Sequence, residues 1–124
     1  MARRDLTGAI DFAHLARFTA GDADLTEEVL GLFREQVALW LRVLDPAIED
    51  QAWKDAAHTL KGASLGVGAF DLARACEAAE VAALRGPAAR DMALAEVRLQ
   101  ADVALADVAA WLHEAALQSL KTPR

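Results

Sequence analysis

The chain has three histidines, and only His58 sits where an imidazole could act as a nucleophile. It lies in AHTLKGASLGVGAFDLARACEAAE, residues 57–80. On a helix at about 100° per residue, Trp53, Ala56, Ala57, Leu60, Ala63, Ser64 and Val67 make one apolar sector, and His58 falls roughly 160° from its centre. The opposite face also carries Lys54, Lys61, Gly62 and Leu65. An imidazole facing water is mostly neutral near pH 7 and keeps a nitrogen lone pair free to attack an electrophile such as phosphorus. Lys61, three residues on, sets a cation beside any anionic group that this nitrogen comes to carry. Gly62 is a poor helix former, costing about 1 kcal/mol relative to Ala, and Leu65 is a large apolar side chain on the water side. Neither choice helps the fold, so Gly62, Leu65 and the neighbouring Lys54 read as a docking surface.

The remaining reactive residue types point elsewhere. His14 stands three residues after Asp11 with no second histidine near it, which favours a solvated or capping role over metal ligation. His113 is off the apolar seam of its helix and reads as a surface residue. Cys76 is the single cysteine, so no intrachain disulfide or cysteine-based zinc site can form; its place on a helical seam makes it a small buried hydrophobe. Ser64 faces inward, where its hydroxyl can bond a backbone carbonyl one turn back. Gly62–Gly68 is glycine-rich, but it follows a helix instead of a strand and no Lys-Ser/Thr pair closes it, which excludes a phosphate-binding nucleotide loop. There is no Asn, there are only two Ser, and no His-Glu-x-x-His occurs; many hydrolase constellations are thereby removed and an autonomous metallohydrolase is disfavoured.

His58-x-Leu60-Lys61-Gly62-Ala63-Ser64, then Gly68-Ala69, Leu72, Cys76 and Glu80, resembles the histidine-containing phosphotransfer (HPt) family of multistep two-component signalling. Ala79 departs from the larger apolar residue often found before the glutamate, a matter of packing. The resemblance implies that His58 accepts a phosphoryl group through Nε2 from one receiver-domain aspartate and passes it to another, with Lys61 stabilising its charge. Implied partners are receiver domains of response regulators or hybrid histidine kinases. No cofactor or metal belongs to this chain, since in the family the divalent cation belongs to the receiver. No autonomous kinase activity is expected. The alternative function is a non-catalytic helical adaptor that binds receiver or kinase domains without phosphotransfer; a phosphoacceptor domain of a chemotaxis-type kinase is disfavoured by a chain that starts at Met1 and has no kinase module.

The elements that position His58 follow from composition and punctuation. At 124 residues the chain is read as one domain, residues 1–124, and with 55% hydrophobic but only 6% aromatic residues it favours close-packed helices. A net charge of −6 argues against nucleic acid or an anionic membrane as partner. No secretory leader or spanning segment is seen, so a cytoplasmic protein is expected. Residues 1–8 read as a disordered lead. Asp11 caps a short helix carrying Phe12, Leu15 and Phe18 that Gly21 ends, a lid across one bundle end. Asp24-Leu25-Thr26-Glu27 resembles a capping box before the seam Val29/Leu30, Phe33, Val37, Leu41, Leu44. A break falls between Asp45 and Asp50 at Pro46. The His58 helix then runs from about residue 50 to a turn at Gly66-Val67-Gly68. Leu72, Cys76, Ala79 and Ala83 mark the next helix, and Gly86-Pro87 the turn after it. Leu94, Val97, Ala101, Leu105, Val108, Leu112 and Ala115 mark a long last helix from Ala88 to about Leu120, whose tail should project or bend, with Lys121–Arg124 frayed. The expectation is an all-α protein, an antiparallel up-down four-helix bundle with a short extra N-terminal helix. A monomer is expected, because one such bundle buries its own seams.

Overall fold

A computed structural model describes residues 6–121, which hold five helices and no strand. They are α1 (Phe12–Thr19), α2 (Ala23–Val43), α3 (Asp50–Val67), α4 (Phe70–Ala82) and α5 (Pro87–Lys121). α3 packs between α2 and α4, and α5 closes the ring against α4 and α2, while the short α1 lies across α2 and α3. This is the expected four-helix bundle with a lid. Its core runs from Ile10 and Leu15 through Leu30, Phe33, Val37, Trp53, Leu60, Leu72, Cys76, Val97 and Val108.

Each boundary has a local cause. The Asp11 carboxylate accepts from His14 N–H at 3.0 Å and starts α1. α2 begins earlier than expected: Asp22, not the Asp24–Glu27 segment, caps it, accepting from Leu25 N–H at 2.9 Å. Thr26 is turned inward, its hydroxyl 2.8 Å from the Asp22 carbonyl and 2.9 Å from the Thr19 hydroxyl. The chain breaks after Val43 as Pro46 demands, and α3 resumes at Asp50. Gly66 does not end α3; the helix continues to Val67 and stops at Gly68, whose φ of 83° needs no Cβ. A Cβ at Gly68 would also stand 2.8 Å from the Asp11 carbonyl, because the Asp11 N–H bonds the Gly68 carbonyl at 2.9 Å. Pro87 opens α5 at a position where no N–H is required.

Two further expectations change. Residues 1–5 and 122–124 lie outside the described residues, and with them most of the expected lead and frayed end. Thr7, expected in that lead, is held: its N–H and hydroxyl donate to the Asp107 carboxylate at 2.8 and 3.0 Å, and Ile10 N–H donates to the same group at 3.2 Å. Asp107 is fully buried on α5. Phe18 does not face the bundle but is exposed, leaving Leu15 and Thr19 as the buried residues of α1.

A second buried charge ties the far end. Arg90 on α5 donates to the carbonyls of Ala83 (3.1 and 2.9 Å), Pro46 (3.0 Å) and Ile48 (2.7 Å), pairs with Asp50, and lies 5.2 Å over the Trp53 ring. Trp53 in turn donates from its indole to the Ala79 carbonyl at 2.7 Å. Both loops of that end are thereby hydrogen-bonded to one guanidinium, which removes the cost of leaving their buried carbonyls unpaired. Along α5 the half-buried Leu105, Leu112 and Ala115 flank a buried line that also holds Ala104 and Trp111. Beyond them Leu117 and Leu120 are exposed, as a projecting tail requires.

Candidate phosphotransfer site

α3 presents its outer face as the 100° helical spacing requires. Trp53, Ala56, Ala57, Leu60, Ser64 and Val67 are buried and Ala63 is half-buried, while His58, Lys54, Gly62 and Leu65 are exposed. The Ser64 hydroxyl bonds the Leu60 carbonyl at 2.7 Å, spending its polarity inside the helix. A Cβ at Gly62 would meet nothing within 4 Å, so the glycine opens a bare patch of backbone one turn after His58.

The His58 side chain is 70% exposed, and its Nδ1 lies 3.4 Å from Glu80 Oε2 on α4. Nε2 has no partner among the described residues. Lys61 is not the free surface cation that the α3 wheel suggested. It is 23% exposed, and its Nζ lies 2.8 Å from Glu80 Oε1. One carboxylate thus bridges a ring nitrogen and an ammonium. Glu80 holds the Lys61 ammonium above its ordinary value. Burial pushes the Glu80 carboxyl up, but hydrogen bonding and charge from Lys61 and then His58 outweigh it, and the group stays below the usual carboxylate value. Glu80 Oε1 is shielded from water and has no well-aligned hydrogen bond of its own, so the Lys61 ammonium is held there by charge.

Glu80 is the residue whose role single-helix periodicity could not reveal. Its contact with His58 spans 22 residues and joins two helices. The sequence signal is an acidic residue directly after Ala79, which is fully buried: a carboxylate on the flank of a packed seam must face something on the neighbouring helix. Of the other sequence candidates, His14 stacks edge-on against Phe70 with centroids 5.3 Å apart, and His113 is exposed on α5. Burial pushes the Cys76 thiol up to about 12, so it stays protonated and inert. Among the described residues no cluster of His, Cys, Asp or Glu could hold a metal ion, and no helix is long and apolar enough to cross a membrane.

Comparison with known proteins adds independent support. The Hpt domain family matches residues 23–120. The crystal structure of histidine phosphotransferase ShpA from Caulobacter crescentus is 50% identical and superposes with a TM-score of 0.75, covering 91% of this chain and 99% of that one. A candidate histidine-containing phosphotransfer protein from rice, at 21% identity, shares the fold with a TM-score of 0.75 over 90% of this chain and 85% of its own. Comparison with curated protein sequences returns no match. An all-α bundle with this motif on α3, a family match across α2 to α5 and a histidine phosphotransferase relative at half identity lead to one conclusion: the chain belongs to the Hpt domain family and is a phosphorelay histidine phosphotransfer protein.

Proposed function

We propose that His58 is the phosphoacceptor and that Nε2 is the atom that bonds phosphorus. The observation that carries this is the division of the ring: Nδ1 faces the Glu80 carboxylate at 3.4 Å while Nε2 is open to solvent on the α3 face. A carboxylate at Nδ1 favours the tautomer with its proton there, which leaves the lone pair on Nε2. That lone pair attacks the phosphorus of a receiver aspartyl phosphate. An N–P bond forms as the P–O bond to the aspartate breaks, and the aspartate carboxylate leaves with the bonding pair. The Nδ1 proton stays on the ring, so the product is a phospho-imidazolium whose positive charge faces Glu80. The reverse attack by a second receiver's aspartate completes the shuttle. Transfer of this kind asks mainly for in-line positioning and charge neutralisation.

In this scheme Lys61 neutralises the transferred group, shifting from Glu80 as phosphate charge appears nearby. Lys54, Gly62 and Leu65 form the face on which the receiver docks, supported by their exposure beside His58. On the histidine side of the transfer, all of the proposed groups lie on one copy of the chain. The free, buried Cys76 fits the expected cytoplasmic setting.

The test is transfer from a panel of phosphorylated receiver domains carrying labelled phosphate. Label should appear on His58 in an acid-labile, base-stable linkage, and ATP alone should deliver none. Label that persists in His58→Gln, or that maps to His14 or His113, overturns the assignment. Unchanged retention and transfer in Lys61→Ala would remove Lys61 from the mechanism.

A further inference from the structure

Among the described residues Glu80 is the one carboxylate within ion-pair distance of both His58 and Lys61, and its oxygens are divided between them. Oε1 lies 2.8 Å from Lys61 Nζ and Oε2 lies 3.4 Å from His58 Nδ1. The two contacts are unequal. The Lys61 pair is short and mostly shielded, whereas the Nδ1 contact is long and reaches a ring that stands out in solvent. In the unmodified protein the carboxylate charge is therefore matched by the ammonium, and the neutral ring takes only the second oxygen. Other charges do not compete. Asp55 on α3 is held by Gln51 at 2.8 Å, and Glu77 on α4 pulls on the Lys61 ammonium more weakly than Glu80 does. Lys54 makes no ion pair, and no group of α1 or α2 pairs with His58, Lys61 or Glu80 among the described residues.

Phosphorylation of His58, on the assignment proposed above, changes which groups need a counter-charge. As Nε2 bonds phosphorus and the receiver aspartate leaves with the P–O bonding pair, the ring keeps its Nδ1 proton and becomes a cation. The phosphoryl group brings negative charge to the same face, so Lys61 now has two anions to choose from and Glu80 has two cations. Glu80 Oε1 is shielded from water and has no well-aligned hydrogen bond of its own. A carboxylate so placed cannot give up its cation without a replacement, and the charged ring, already 3.4 Å away, is the replacement at hand.

We propose that Glu80 is a positioning residue that exchanges cations during the relay: it holds Lys61 while His58 is unmodified, and holds the phospho-imidazolium once Lys61 has turned to the phosphoryl group. Each phosphorylation then breaks one ion pair and makes two. The broken pair offsets part of what the new contacts supply, so the phosphoryl group is held on His58 without being locked there. A shuttle that must also give the group away needs that balance, because an equilibrium moves only by the difference between the interactions of its two states.

The exchange has a signature in a double-mutant cycle. Labelled phosphate reports the equilibrium between a phosphorylated receiver domain and His58 in the wild type, Glu80→Gln, Lys61→Met and the double variant. With Lys61 present, Glu80→Gln removes the counter-charge of the ring but also frees the ammonium, and the two effects oppose. With Lys61→Met only the first remains. Glu80→Gln should therefore lower the phospho-His58 equilibrium constant about three- to fivefold more in the Lys61→Met background than in the wild type, the size of one partly exposed ion pair. Long-range proton–nitrogen NMR spectra at neutral pH supply a readout that a merely structural role would not move. Nδ1 of the phosphorylated ring should carry a proton in the wild type and a smaller fraction of one in Glu80→Gln, and the wild-type spectrum depends on no variant's folding. Additive effects in the cycle, or a bare Nδ1 in the phosphorylated wild type, overturn the exchange even with label on His58. Label elsewhere overturns it together with the assignment on which it rests.

Discussion

α3 holds two clusters of the same composition, each made of a cation, a carboxylate and an aromatic ring. At its N-terminal end Arg90, Asp50 and Trp53 meet; in its middle Lys61, Glu80 and His58 do. Arg90 is 5% exposed and gives its donors to three backbone carbonyls besides Asp50. Trp53 is fully buried and its indole N–H is also satisfied. Every donor in that cluster is matched, which suits it to holding the two loops together. The His58 cluster is incomplete by comparison. Nε2 is open, Glu80 Oε1 lacks an aligned hydrogen bond, and the ring is 70% exposed. The same three chemical groups make a joint when every donor is matched and a reactive site when one lone pair is not.

If that contrast holds, His58→Gln should abolish phosphotransfer and leave stability within about 0.5 kcal/mol, because an exposed side chain with one long contact contributes little to folding. Parallel transfer assays and urea titrations check both halves. A large stability loss would mean that the site is also a joint. Arg90→Ala should do the reverse. With the carbonyls of Ala83, Pro46 and Ile48 left unpaired, unfolding should become easier by about 3–4 kcal/mol, while the folded fraction still transfers phosphate. Arg90→Lys should recover only part of this, since an ammonium cannot reproduce the guanidinium fork.

Gly62→Gln sharpens the comparison inside the site itself. The added side chain enters open space, so stability should rise by roughly 0.5–1 kcal/mol through helix propensity. Transfer should slow on the order of a hundredfold if a receiver packs against that backbone, because small displacements are costly in a reaction that depends on in-line geometry. Melting temperature and timed transfer on one preparation decide it; unchanged transfer would place the docking face elsewhere.

The smallest effect is the pH dependence of the Lys61–Glu80 pair. Glu80 is held below its ordinary value of 4.5, so its contribution is present above that pH and lost as pH falls through the folded value. Lys61 is held above 10.5, so its contribution is present below that pH and lost as pH rises through the folded value. Melting temperature should therefore sag at both ends, below about pH 4.5 and above about pH 10.5, and Lys61→Met should flatten both. A partly exposed pair is screened by water, so the change should be small.

How legible the molecule was depended on the reach of each interaction. Helix identity, the break at Pro46, the inward Ser64 and the outward His58 all rest on contacts within about one helical turn, and the residue order in that span specifies them. The start of α2 was misplaced because two acidic residues, Asp22 and Asp24, both suit a cap, and the inward pull on Thr26 chose between them. Three features needed the tertiary structure. Arg90 and Asp107 look like surface charges on a long polar helix, and only packing brings loop carbonyls to one and the Thr7 and Ile10 amides to the other. Lys61 looks free until α4 supplies Glu80 at 2.8 Å. By itself the sequence determined which side chain faces outward with a lone pair to use; the fold decided which nitrogen of that ring is left to use it, because a carboxylate 22 residues away arrives at the other one.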